Sequence, residues 1–226
     1  MYYEIKGGTL PVVEVQLNAG ESVKCESGAM SWMSANFTNE AKVGGFGKML
    51  GRAMTGESVA LNHYTAQGAP GLIAFSSNVP GDIRALKVDA EHSYICQKGS
   101  FLAAEEGVTL STKFQSKIGA GFLGGEGFLM QQLSGEGTAF VEVDGSVIEY
   151  ELEAGQTMII STGYLAMMDS TVTMSVKKVE GGLKNMILGG EGFVHTTVTG
   201  PGHIWVQTMP AAAIARALSK LTPSKK

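Results

Sequence analysis

The chain repeats itself three times, and this repetition restricts the folds open to it more than any other feature. Segments that begin at Val15, Leu86 and Tyr150 align without a gap, and a second block recurs downstream from residues 56, 125 and 190. Repetition at a fixed long period is typical of modules that bury their apolar faces only by packing on neighbours. We therefore predict three modules, at residues 1–79, 80–145 and 146–209, within one folding unit. The first segments read VQLNAGESVKCESGAM, LKVDAEHSYICQKGSF and YELEAGQTMIISTGYL, with Gly28, Gly99 and Gly163 at one shared position.

Within each copy the hydrophobic period is two, which predicts β-strands. In SVIEYELEAG, Ile148, Tyr150 and Leu152 alternate with glutamates, as expected of half-buried antiparallel strands. The glycines follow strand-like runs at turn positions, where a residue without Cβ can take a positive φ. The predicted fold class is all-β, a sandwich or a barrel.

The C-terminus departs from this pattern. Pro210 can begin a helix through AAAIARALSKL, in which Ile214, Ala217, Leu218 and Leu221 share one face. Within residues 210–226 we expect a helix that covers an open strand edge and a tail that frays from Thr222 to Lys226. A helix that contacts a membrane or a partner is the alternative.

Composition narrows the function classes. The net charge of -4 disfavours extensive neutralisation of phosphates, so we do not expect a nucleic-acid partner. The sequence MYYEIKGGTL does not resemble a signal peptide, and no apolar stretch reaches the ~18 residues that cross a bilayer. We therefore expect a cytoplasmic protein.

The repeat helps to separate residues with a chemical role from structural ones, because a structural residue should have equivalents of similar character in the other copies. Cys25 and Cys96 share one repeat position with Ile160, which indicates core packing. The four histidines do not recur and no pair has the spacing of metal ligands. The glycine-rich segment VGGFGKMLGRAMTGES lacks phosphate-loop spacing, since Met49 follows Lys48, and GxSxG does not occur. We predict no catalytic, cofactor-binding or metal-binding residue, and no cofactor.

Three glutamates are the ionisable residues that recur in all copies, each directly after a glycine: Glu57, Glu126 and Glu191. We expect each carboxylate to accept hydrogen bonds from turn N–H groups of its own module. In the alternative, the three carboxylates ring a pseudo-threefold axis and bind a cation, which would offset their mutual repulsion.

The blocks GGEGFLMQQLSGEGTAFVEV and LGGEGFVHTTVTGPGHIWVQT, with GLKNMI just before the second, closely resemble the altered-inheritance-of-mitochondria family, over about Tyr3 to Thr208. The family comprises bacterial proteins of uncharacterised function and mitochondrial relatives. The resemblance implies three modules similar to the tryptophan RNA-binding attenuator protein, a short double-stranded β-helix, in one pseudo-threefold domain. Such modules assemble into rings, so a trimer would give nine modules.

We expect a non-enzymatic, homo-oligomeric β scaffold, a homotrimer, that interacts with a protein or membrane partner. One alternative is a ring that binds a small ligand or RNA between modules. Another is a membrane-associated organiser.

Overall fold

A computed structural model describes residues 1–43, 60–116, 128–178 and 194–219, and they are mostly β-strands. Glu57, Glu126 and Glu191 and the glycine-rich segment at residues 44–59 lie outside this part. After β1 (Tyr2–Lys6), the first module supplies β2 (Val12–Leu17), β3 (Ser22–Glu26), β4 (Met30–Met33), β5 (Phe37–Val43), β6 (Ala60–Ala66) and β7 (Gly71–Ser76). The second supplies β8 (Gly81–Val88), β9 (Tyr94–Gln97), β10 (Phe101–Glu105), β11 (Val108–Ser116), β12 (Phe128–Gly135) and β13 (Gly137–Asp144). The third supplies β14 (Val147–Leu152), β15 (Thr157–Ser161), β16 (Leu165–Asp169), β17 (Thr173–Lys178), β18 (Val194–Thr199) and β19 (Gly202–Gln207), and α1 (Ala211–Ser219) follows.

The all-β fold with one short C-terminal helix confirms the predicted fold class. The boundaries 1–79, 80–145 and 146–209 remain a prediction about folding units, and both internal boundaries fall between strands.

The modules share their sheets. A six-stranded sheet with the order β5-β6-β3-β10-β13-β8 takes three strands from module 1 and three from module 2, and we call it joint 1–2. Joint 2–3 has the order β11-β12-β9-β16-β19-β14. The two remaining sheets are β1-β2-β7-β4 and β15-β18-β17. All the strand pairs are antiparallel.

Three hydrophobic clusters lie between these sheets. The first holds Val13 and Ile73 of the β1-β2-β7-β4 sheet together with Phe140 of joint 1–2. The second and third clusters are built in the same way, on either side of joint 2–3. Each joint is therefore buried on both faces, which explains why β10 (FLAAE) and β16 (LAMMD) are apolar runs without alternation.

The same turn connects the second and third strands of every module. A backbone N–H to C=O hydrogen bond closes it from Ala29 to Glu26, from Ser100 to Gln97 and from Tyr164 to Ser161. Gly28, Gly99 and Gly163 have φ of 87°, 86° and 104° in these turns, a region that L-residues with a Cβ rarely adopt. The prediction of glycine-dependent turns is confirmed.

Two predicted apolar faces are more exposed than the sequence pattern indicates. Leu152 of β14 is buried, but Ile148 and Tyr150 are 45% and 42% exposed, because β14 is an edge strand whose one partner among the described strands is β19. On α1, Leu218 is 59% exposed, and Leu221 lies outside the described residues. Among the described helices none is long and apolar enough to span a membrane.

Candidate functional site at the module joints

The joints are where one module meets the next, and their central strand pairs have equivalent registers. In joint 1–2, Ala103 and Ala104 of β10 lie opposite Cys25 and Lys24 of β3. In joint 2–3 the equivalent partners of β16 and β9 are Met167 with Cys96 and Met168 with Ile95. All eight residues are at most 8% exposed. The repeat position of the cysteines is thus the centre of a joint, and their predicted burial is confirmed.

The cysteines are poor nucleophiles in this setting. Both thiols are free and buried, and burial raises the pKa of each to about 12. The thiolate is the reactive form of cysteine, and at neutral pH it is scarcely populated at such a pKa. The position therefore serves packing.

A polar layer lies beside the central pairs, and it differs between the two joints. In joint 2–3, Gln207 is buried and its Nε2 donates to Oε1 of Gln97 at 3.1 Å and to the carbonyl of Gly163 at 2.7 Å. Its Oε1 accepts from the backbone N–H of Asp144 at 3.1 Å. The amide thereby ties β19 to the second module and to its own turn.

Glutamates occupy the two equivalent positions of joint 1–2. Glu142 corresponds to Gln207 by the registers of β13 and β19, and Glu26 corresponds to Gln97 by those of β3 and β9. The Glu142 carboxylate accepts from the hydroxyl of Ser77 at 2.9 Å and from the backbone N–H of Asn78 at 2.9 Å. Burial raises the pKa of Glu26, and the nearby Glu142 raises it further.

A small pocket of about 100 Å³ opens between the two glutamates. It is lined by the turn Glu26–Ala29, by Asn78, Phe101 and Leu102, and by Glu142. The carboxylates give it an acidic character, which opposes phosphate-bearing ligands and favours cationic or hydrogen-bond-donating ones.

Within the described part of the chain, His63, His92 and His203 each contact a carboxylate. His63 Nδ1 lies 2.6 Å from Glu106 Oε1, His92 Nδ1 lies 2.8 Å from Asp89 Oδ1, and His203 Nδ1 lies 3.1 Å from Asp169 Oδ2. The His92 hydrogen bond holds the pKa of Asp89 well below its usual range. No group of three or more His, Cys, Asp or Glu side chains that could hold a metal ion occurs in the described part of the chain.

The polar layer is not predicted by the sequence analysis, and the repeat supplies only part of the signal for it. Glu26 and Gln97 directly follow the two cysteines, yet only the strand register shows that Glu142 and Gln207 lie beside them. The three glutamates that the sequence singles out, Glu57, Glu126 and Glu191, fall outside the described residues, so their two interpretations remain predictions.

Comparisons with known proteins agree with this architecture. The model of the family "Mitochondrial biogenesis AIM24" matches residues 3–209. An uncharacterised protein of Streptococcus pyogenes serotype M6 (strain ATCC BAA-946 / MGAS10394) is 29% identical over 223 residues, which cover 95% of this chain and 88% of the relative. A crystal structure of a Streptococcus pyogenes protein has a TM-score of 0.80 and 28% identity, covering 98% of this chain and 99% of the other. The predicted resemblance is therefore confirmed, and the chain belongs to the AIM24 family.

Proposed function

We propose that the chain is a non-enzymatic scaffold that assembles with copies of itself, three chains forming a ring of nine modules. The sharing of sheets carries this proposal, because each joint takes three strands from one module and three from the next. A module is thus completed by its neighbour, as in repeat proteins whose stability depends on the contacts between successive units. The ring presents its outer surface to a protein or membrane partner.

The state of the reactive side chains supports a structural role. Cys25 and Cys96 are buried, with their pKa raised to about 12. His63 and His203 each contact a carboxylate of another strand or turn. The histidine contacts link chain segments, and the buried thiols with their raised pKa are unsuited to a nucleophilic role.

A small-ligand role is the second candidate, and the pocket between Glu26 and Glu142 is the observation that favours it. Its acidic lining suits a small cationic molecule and disfavours RNA. The membrane alternative depends on residues 43–54, which lie almost wholly outside the described part, and on α1. Liposome flotation with and without residues 210–226 tests it.

Native mass spectrometry of the purified protein separates these functions. The scaffold predicts a species of three chains, each of 23.7 kDa, without additional mass. Stoichiometric extra mass on each chain supports the ligand-binding function. A bare monomer at micromolar concentration contradicts the scaffold.

A further inference from the structure

The two terminal sheets of the chain are incomplete halves of a joint. The β1-β2-β7-β4 sheet ends at β4, and the β15-β18-β17 sheet ends at β15. In the other modules the counterparts of β4 are β10 and β16, and those of β15 are β3 and β9. Those counterparts pair with each other in the joints, whereas β4 and β15 do not pair with each other within the described chain and each has a strand on one side only.

Large apolar side chains are exposed on these two strands at positions that are buried in the joints. Met168 and Ile95 face each other across joint 2–3 and are 1% and 3% exposed. Their counterparts at the ends of the chain are again a methionine and an isoleucine, Met33 and Ile159, which are 38% and 67% exposed. The same pair of residue types is thus buried in joint 2–3 and exposed on the edge strands β4 and β15.

A second position repeats this contrast. Met167 lies opposite Cys96, and both are fully buried in joint 2–3. The counterpart of Met167 is Trp32, which is 46% exposed. The repeat equivalent of Cys96 is Ile160, which would lie opposite Trp32 and already packs in the third cluster.

The edges of these strands lack the usual protection against pairing. Eight strands lie at sheet edges in the described part of the chain. Six of them carry at least one charged residue, whereas β4 (MSWM) and β15 (TMIIS) carry none. Charged residues are a common device against edge-to-edge association. An uncharged apolar edge is a template for another strand, and here the strand that fits is defined by the joints.

We infer that β15 of one chain pairs antiparallel with β4 of the next, so that a second copy of this chain completes both terminal sheets. The register follows that of joint 2–3 and places Ile159 opposite Met33, Ile160 opposite Trp32 and Met158 opposite Ser34. The contact is head-to-tail, so repetition around a rotation axis closes a ring. This inference rests on the proposed scaffold function and specifies the surface through which it forms.

Two edge variants and their mixture test the inference. Ile159→Lys places a charge on β15 and leaves β4 intact, and Met33→Lys does the reverse. Both residues are exposed, so circular dichroism should show that each variant keeps the wild-type fold. Each variant alone should fall from the wild-type assembly to a monomer in sedimentation velocity. Mixed in equal amounts, they should form a dimer of about twice the 23.7 kDa of one chain, because one intact β15 meets one intact β4.

The control is Ile148→Lys, which alters an edge residue of β14 that is 45% exposed and should leave the assembly unchanged. Wild-type assembly that persists in both edge variants overturns the inference and leaves the scaffold standing. A mixture that stays monomeric, or a loss of assembly in one variant only, points to like-with-like pairing or to a strand from another protein and also overturns it. A monomeric wild type overturns the scaffold itself.

A covalent measurement keeps the inference testable if a lysine variant does not fold. A chain that carries Ile159→Cys together with Met33→Cys should give covalent multimers on mild oxidation. Either cysteine alone should give no more than traces of dimer. Cys25 and Cys96 are buried and should not contribute. Absence of multimers from the double variant, in a wild type that assembles, contradicts the proposed register.

Discussion

Glu26 and Glu142 show how one residue type can alter a joint whose geometry is otherwise conserved between modules. The two joints have the same central register, but joint 2–3 has an amide pair where joint 1–2 has two carboxylates. Burial and Glu142 raise the pKa of Glu26. The folded chain therefore binds a proton at Glu26 more tightly than the unfolded chain does, and the charged form reduces stability at neutral pH.

Glu26→Gln should raise the free energy of unfolding at pH 7 by about 1 kcal/mol, because it removes a partly buried charge beside another carboxylate. The gain should be full above the raised pKa, decline as the pH falls through it, and vanish below the ordinary value of 4.5. Urea unfolding between about pH 3.5 and about pH 8, a range that begins below the ordinary glutamate pKa and ends well above it, measures this. Glu91→Gln at an exposed position is the control and should change little. If Glu26→Gln raises the free energy of unfolding equally at every pH, the charge of Glu26 is not the cause.

Gln207→Met should destabilise the chain by about 3 kcal/mol, because methionine fills the same space and leaves the N–H of Asp144 and the carbonyl of Gly163 without this partner. Thermal and urea unfolding give the value. Gln67→Met, at an exposed glutamine that bonds Thr38, should cost no more than about 0.5 kcal/mol. Equal effects of the two substitutions would mean that the buried amide does not hold joint 2–3 together.

At the scale of elements, the sequence predicts strands and turns well and strand environments less well. The positive-φ glycines of the three turns could be foreseen because a glycine recurs there. The register shift between Met30 and Trp32, and its equivalents in β10 and β16, could not, because both faces of a joint are apolar and alternation disappears. The exposure of Ile148 and Tyr150 was also missed, since alternation indicates which face of a strand is apolar but not whether anything covers it.

The helix α1 is attached at its first turn. Asp144 at the end of β13 accepts a hydrogen bond from the backbone N–H of Ala211 at 2.6 Å, where a carboxylate also interacts favourably with the helix dipole. Asp144→Ala should weaken this attachment by about 1 kcal/mol. Limited trypsin cleavage after Arg216 should then be faster than in the wild type.

Asp144→Asn retains an acceptor and is the matched control, with cleavage closer to the wild-type rate. Equal cleavage rates in the wild type and in Asp144→Ala would show that the helix is held by other contacts.

At the scale of the whole molecule, the repeat predicts three equivalent modules, but it does not predict how their strands pair. A repeat shows that units are equivalent, but β3 and β10 belong to different units, and only their pairing reveals that each of two neighbouring modules contributes half of a joint. By this rule, each of the two sheets that come from a single module is half of a joint. β4 and β15 are the two halves that no described strand completes, and the sequence MSWM alone would not distinguish such an edge from a buried strand.

Hydrogen–deuterium exchange on the wild-type protein tests the pairing of β4 with β15 most directly. At a concentration where the protein is assembled, peptides that cover β4 and β15 should be protected to the same degree as those of β9 and β16, which pair inside the chain. The protection of β4 and β15 should be lost in Ile159→Lys, while that of β9 and β16 remains. Rapid exchange of both terminal edges in an assembled wild-type protein would contradict the account.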